Sequence, residues 1–235
     1  MICLLINTIF QHARRLRLYF AKPTSIHLVV IQMYVIGVTG GICSGKSTVV
    51  KLLGEKGVQV LDADKLGHEA YEPGTDCFNL LVNHFGSDIV SDGKIDRKAL
   101  GSIVFSNSDQ MKSLQGIVWP EIRRLIKHRI DAFKAQGVEI VALEAAVMIE
   151  AGWYDIADEL WVVVVERDVS VNRMIERNSV SEEDALKRIN SQLSNTERCE
   201  HATVVIDNNT ASLSELHSIV DSTYKSALER YQQKK

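Results

Sequence analysis

A doubly wound α/β fold built on a parallel sheet follows from three observations on the chain. Five short Val/Ile-rich runs lack the apolar–polar alternation of a sheet with one wet face. Runs of that kind belong to strands buried on both sides, hence to a parallel sheet with helices on both faces. Helical patterns separate the runs, as crossovers between parallel strands require. The first run also leads straight into Gly40-Gly41-Ile42-Cys43-Ser44-Gly45-Lys46-Ser47, a Gly-rich turn that opens a helix.

Strand one is read at Tyr34 to Val38 and helix one at Ser47 to Glu55, closed by Gly57. Strand two, Val58 to Leu61, delivers Asp62-Ala63-Asp64. Residues 65–136 show no strand pattern, only helical pieces punctuated at Pro73-Gly74, Gly86, Asp92-Gly93 and Trp119-Pro120. In the last piece Ile122, Leu125, Ile126, Ile130 and Phe133 recur at helical spacing, with Pro120 read as a first-turn residue. The block is too long for a plain crossover and reads as a helical insertion over the strand ends. Strand three is Val138 to Leu143, followed by Glu144 to Glu150, and strand four is Leu160 to Val165. Two helices follow, Val169 to Arg177 and Glu182 to Leu193, with Ser181 and Asp184 spaced like a capping box. Strand five is Thr203 to Ile206, and Leu213, Leu216, Val220, Ala227 and Tyr231 mark a final helix. Ligands of such folds sit outside the carboxyl ends of the strands.

The net charge of −3 hides an asymmetry. Residues 1–32 carry Arg14, Arg15, Arg17 and Lys22 and no acid, so the rest is more acidic than the total shows. A body this acidic is not a general nucleic-acid binder. The leader, residues 1–32, reads as lying outside the fold, either a mitochondrial transit peptide or a non-native extension ahead of Met33. Its apolar pieces are too short to span a bilayer, and no small-residue cleavage site follows a central apolar stretch. Given this acid-free, Arg-bearing composition, a cytoplasmic or mitochondrial rather than secreted protein is expected. Cys3, Cys43, Cys77 and Cys199 form no C-x-x-C pair, which suggests neither a zinc site nor a disulfide framework.

The chemistry starts at the glycine-rich turn, which matches the phosphate-binding pattern G-x-x-x-x-G-K-[ST] in its proper strand–loop–helix setting. Gly40 and Gly45 let the backbone curl around Gly41, Ile42, Cys43 and Ser44 into an anion nest at a helix N-terminus. Lys46 then reaches the β- and γ-phosphates of a bound ATP, the Ser47 hydroxyl is placed to ligate Mg²⁺, and Thr48 continues the loop into the helix. Asp62 and Asp64 emerge at the same sheet end. Such carboxylates orient and deprotonate an attacking hydroxyl, although Asp62 also suits a helix cap. Glu144 falls where a second metal-holding carboxylate belongs. Arg173 and Arg177, at i and i+4, and Arg188 on the next helix read as cations of a lid over residues 168–194. His68 and His84 read as surface or packing residues.

With these residues in place the chain resembles the dephospho-CoA kinases. The resemblance rests on Gly37 to Thr48, Asp62-Ala63-Asp64, His84-Phe85-Gly86, Asp96-Arg97 with Leu100 and Phe105, and Trp119-Pro120. It continues through Arg173, Arg177, Ser181, Arg188 and Gln192 to Val205-Ile206-Asp207-Asn208-Asn209. It implies a P-loop kinase fold spanning residues 33–235, with the insertion holding the CoA precursor. It further implies transfer of the γ-phosphoryl of ATP–Mg²⁺ to the ribose 3′-hydroxyl of dephospho-CoA. Asp64 would be the base, Asp62 an orienting group, and Lys46 with the lid arginines the charge stabilisers. The adenylyltransferase of the preceding step is an implied partner. Trp119 for His, Glu144 for Asp and Asn178 for Asp depart from the usual pattern. Trp119-Pro120 and the run Glu144 to Trp153 look like the kinase half of animal bifunctional CoA synthase. A nucleoside monophosphate kinase shares the fold; a shikimate kinase would show a second Gly-rich loop, and a GTPase switch an N-K-x-D segment, which this sequence lacks.

Overall fold

The computed structural model describes residues 33–209 and 212–234; the leader expected at 1–32, and its targeting role, lie outside them. Strand β1 (Tyr34–Gly40) is buried throughout and occupies the centre of the sheet. On one side it pairs in parallel with β5 (Ile140–Glu144), which pairs with β2 (Gln59–Asp62). On the other it pairs with β6 (Glu159–Val164), which pairs with β7 (Val204–Asp207). All five strands run parallel. The central three, β5, β1 and β6, are buried nearly throughout as their Val/Ile runs require, whereas the edge strands β2 and β7 are only partly covered. The crossovers diverge to left and right of β1, so its carboxyl end is the switch point where a crevice opens.

Helices α1 (Lys46–Glu55) and α9 (Leu213–Lys234) cover one face. There Val49, Leu53 and Val220 pack against Ile36, Val38 and Trp161. On the opposite face lies the insertion: α2 (Ala63–Ala70), α3 (Asp76–Phe85), α4 (Arg97–Val104) and α5 (Ser108–Ala135). Leu66, Leu81, Ile122 and Ile126 join Leu143, Met148 and Val162 in its core. A third, smaller cluster packs α6 (Arg167–Asn178) on α7 (Glu182–Asn190) through Val171, Met174 and Ala185, with Ile42 and Cys43 of the glycine loop against it.

Three expectations are corrected. Residues 65–136 are not wholly helical: β3 (Val90–Ser91) and β4 (Lys94–Ile95) form an antiparallel hairpin. Asp92 and Gly93 both have positive φ at its turn, the conformation that a two-residue hairpin loop demands. Pro120 is not a first-turn residue; it lies inside the 28-residue α5. Its missing N–H and its ring disfavour the helix interior, and flanking burial of Val118, Ile122 and Ile126 outweighs that cost. Finally, α7 stops at Asn190, and a short α8 (Asn195–Glu200) precedes the last strand. Its capping box belongs to Ser194 and Glu197, whereas Ser181 caps α7 by accepting from the Asp184 amide.

Candidate active site

The loop between β1 and α1 owes its shape to two glycines. Gly45 has φ 98°, and a Cβ there would lie 2.2 Å from the Asn208 amide nitrogen; at Gly40 one would meet the Val163 carbonyl at 2.3 Å. Side chains are thus excluded by backbone conformation and by space. No side chain caps α1 and no acid occupies its first turn, so its positive end remains open to an anion. Asn208, just past β7, donates from its side chain to the Ser44 carbonyl at 2.7 Å, while its own amide bonds Val164. It clamps the loop to the neighbouring strand ends. The sequence places Asn208 in a family motif without assigning it a task.

Lys46 folds back so that Nζ donates to the carbonyls of Gly40 at 2.9 Å and Gly41 at 3.1 Å. Burial lowers its pKa, with Glu144 and Asp64 opposing the shift. Ser47 donates to Glu144 Oε1 at 2.7 Å. Strand register explains that contact: Glu144 ends β5 beside Val38 of β1 and opposite Asp62 of β2. Burial raises the Glu144 pKa against the Ser47 hydrogen bond, and Asp62 and Asp64 add to the rise. The extra methylene relative to Asp therefore does not stop residue 144 from reaching the loop serine. Glu150, further along, is exposed and does not join this cluster.

Asp62 is the N-cap of α2, its Oδ1 accepting from the amides of Asp64 at 3.0 Å and Lys65 at 3.2 Å. The cap turns the chain so that Asp64 faces the same crevice. The Ala146 amide donates to the Asp64 carboxylate. Burial and then the neighbouring Asp62 raise the Asp64 pKa, with Lys46 opposing. A carboxylate held near a lysine, by groups that restrain its proton affinity on both sides, is suited to take a proton from an alcohol.

A cavity of about 340 Å³ opens beside the loop, lined by Cys43, Gly45 to Thr48, Arg173, Arg177, Asn208 and the start of α9. Arg173 donates to the Asn208 carbonyl at 3.0 Å and leans on that of Cys43 at 3.4 Å. Arg177 donates to Asn178 Oδ1 at 3.2 Å. Arg188 stands apart, exposed on α7 and outside that lining. His68 is exposed, and His84 sits against Gln110 and edge-on to Phe85. Trp119 packs edge-on to Trp153 in the insertion, away from the loop cavity's lining. Ile42 is gripped from both sides: Gln192 accepts from its amide at 2.9 Å, and Ser170 donates to its carbonyl at 2.6 Å.

Among the described residues no trio of His, Cys, Asp or Glu side chains is grouped to hold a metal alone. Ser47 and Glu144 offer two adjacent oxygen donors, which fits an ion that completes its shell with water and phosphate oxygens. No helix among the described residues is long and apolar enough to cross a membrane.

Comparisons with known proteins agree with this geometry. The sequence model of the family "Dephospho-CoA kinase" matches residues 34–214. The dephospho-CoA kinase of Geobacter sulfurreducens is 45% identical over 178 residues, 75% of this chain and 90% of its own length. That of Symbiobacterium thermophilum is 38% identical over 83% of this chain and 82% of its own. Among solved structures, a Thermus thermophilus protein superposes with a TM-score of 0.71 at 32% identity, covering 85% of this chain and 98% of that one. The dephospho-CoA kinase of Campylobacter jejuni gives 0.63 at 25% identity, over 82% and 96%. With its phosphate loop, paired aspartates and parallel sheet, the chain belongs to the dephospho-CoA kinase family, the ATP-dependent phosphotransferases that complete coenzyme A synthesis.

Proposed function

We propose that Asp64 is the base that prepares the ribose 3′-hydroxyl of dephospho-CoA for attack on the γ-phosphoryl group of ATP. The observation that carries this is the convergence of the loop, Glu144 and the Asp62–Asp64 turn at one sheet end. Glu144 stands level with Val38 of β1 and Asp62 of β2 and accepts from Ser47 at 2.7 Å, and Asp62 caps the Asp64 amide. Phosphoryl transfer needs little covalent help, and positioning with charge stabilisation supplies the rate. Lys46, released from the Gly40 and Gly41 carbonyls, would turn to the phosphates, and Arg173 and Arg177 would neutralise charge from the cavity's other wall. Arg188 belongs to this set only if the segment 168–194 moves as a lid. Asp62 acts through Asp64, which it orients. Ser47 and Glu144 would hold Mg²⁺, which when bound would neutralise charge on the phosphates. The insertion, 65–136, would hold the CoA precursor. Direct handover from an adenylyltransferase, the class of enzyme that produces dephospho-CoA, is part of the reading and is tested by co-elution of the two. The acid-free, Arg-bearing leader supports delivery to mitochondria, tested by import of the full chain with Arg14, Arg15 and Arg17 replaced.

The decisive assay follows ADP release with dephospho-CoA against adenosine monophosphate as acceptor. Asp64→Asn is expected to bind ATP normally and to turn over at least about a hundredfold more slowly, the scale of a lost general base. Turnover near that of the native enzyme removes Asp64 from the role, and preference for adenosine monophosphate removes the acceptor.

A further inference from the structure

A second cavity, about 320 Å³, opens at the Gly41 end of the loop and is lined by Gly41, Ile42, Arg167, Gln192, Asn195 and Arg198, among others. Arg198 on α8 is only 2% exposed. Its Nη1 donates to the Leu193 carbonyl. Its Nε and Nη2, both shielded from solvent, meet no hydrogen-bonding partner among the described residues. Glu150 and Glu197 act on it electrostatically without an ion-pair contact among the described residues. A guanidinium withdrawn from water and left without an anion is strongly unfavourable. Capping one carbonyl would need one neutral donor, not a charged fork with two further nitrogens idle. A planar fork of that kind matches phosphate oxygens bidentately.

Gly41 fits this picture. A Cβ on it would stand 3.5 Å from Arg198 Nη1 and 3.8 Å from Gln192 Oε1, so the bare glycine leaves the guanidinium against the loop backbone. Arg198 also acts electrostatically on Lys46, which places its charge within reach of the phosphate site.

We propose that Arg198 binds phosphate oxygens of a substrate at the Gly41 corner of the loop, as an anion-binding residue additional to Lys46, Arg173 and Arg177. The inference rests on the loop being the phosphate site. Two groups share the required chemistry, the terminal phosphate of ATP and the diphosphate of dephospho-CoA. Equilibrium binding of ATP, ADP and dephospho-CoA to the native full chain, Arg198→Met and Arg198→Lys separates them. Methionine fills similar volume without burying charge, so the ligand-free melting temperature is expected to hold or rise. Arg198→Met is expected to lose about ten- to a hundredfold in affinity for one ligand. Weaker ATP with unchanged ADP assigns the terminal phosphate; weaker dephospho-CoA with unchanged ATP assigns the diphosphate. Arg198→Lys should recover part of the loss. Native affinity of Arg198→Met for all three ligands overturns the proposal. So does an equal loss for all three with a fallen melting temperature, which marks a structural role. Native protein that binds no ATP would instead sink the functional reading above.

Discussion

Asp64 shows how a site residue can work against the fold that holds it. Burial and Asp62 raise its pKa above that of the unfolded chain. Between those two values the native state holds more protons than the unfolded one, so stability falls as pH rises through the native pKa. That contribution is fully present in acid below the unfolded value and is lost by neutrality. Asparagine cannot ionise, so Asp64→Asn should gain stability over the native chain as pH climbs from about 4 towards 7. Urea unfolding of both proteins across that range checks this, and parallel pH profiles reject it. Glu144 is raised by the same causes and adds to the native protein's slope. The catalytic base must meanwhile be ionised, so turnover should rise over the same interval in which stability declines. Lys46, Ser47, Asp62, Asp64 and Glu144 were all legible from the sequence, because motif spacing and strand ends fix where such side chains emerge. Asn208 and Arg198 were not. Their tasks depend on which loop carbonyl or cavity wall they meet after five strands have been ordered, and no local spacing encodes that.

The elements were legible wherever burial pattern and geometry agree. β1, β2, β5, β6 and β7 each fall within two residues of their predicted bounds at the carboxyl end. For β1, β5 and β6 the reason is that Val/Ile runs can be buried on both faces only as central strands. The edge strands β2 and β7 are only partly covered and are marked instead by the Asp residues that end them. The β3–β4 hairpin escaped because two-residue strands give no periodicity, although Asp92-Gly93 is a hairpin turn signal in its own right. The sequence pattern underestimates α5 because a proline reads as a boundary, while its buried stripe runs on through Val118, Ile122 and Ile126. The most consequential element-scale feature is the attachment of α6 to the glycine loop. Ser170, 5% exposed, donates to the Ile42 carbonyl, so the helix carrying Arg173 and Arg177 also fixes the loop's outer peptide. Ser170→Ala should remove about 1 kcal/mol of that hold. ATP affinity is expected to fall about three- to tenfold with the circular dichroism unchanged. Unaltered ATP titrations would show that the loop keeps its shape without the helix.

Across the whole molecule, α9 joins the nucleotide cavity to the opposite end of the sheet. Leu213 and Leu216 line the cavity, and the other end of the helix is fastened beneath β1 and β6. There Arg230 Nε donates to Glu159 Oε2 at 2.8 Å, Trp161 donates to the other oxygen at 3.0 Å, and Lys234 bonds Asp158 at 3.1 Å while lying over Tyr34. Glu159 has a side chain 1% exposed, and that of Arg230 is 37% exposed. Removing one partner of a fully buried pair costs about 3–5 kcal/mol; with Arg230 partly in water, Arg230→Ala should cost about 2–3 kcal/mol. The exposed Lys51–Glu55 pair on α1, by contrast, should contribute nothing measurable. Because the lesion lies at the far end of α9 from the cavity, nucleotide affinity should survive it. ATP at about 100 times its Kd adds about 2.7 kcal/mol to any form that binds it, so saturating ATP should return Arg230→Ala to roughly the stability of the native protein without ligand. Urea midpoints measured with and without ATP test both halves of the argument. A variant that ATP fails to stabilise would mean that the two ends of α9 are energetically coupled, and that the fastening under the sheet helps to shape the nucleotide cavity.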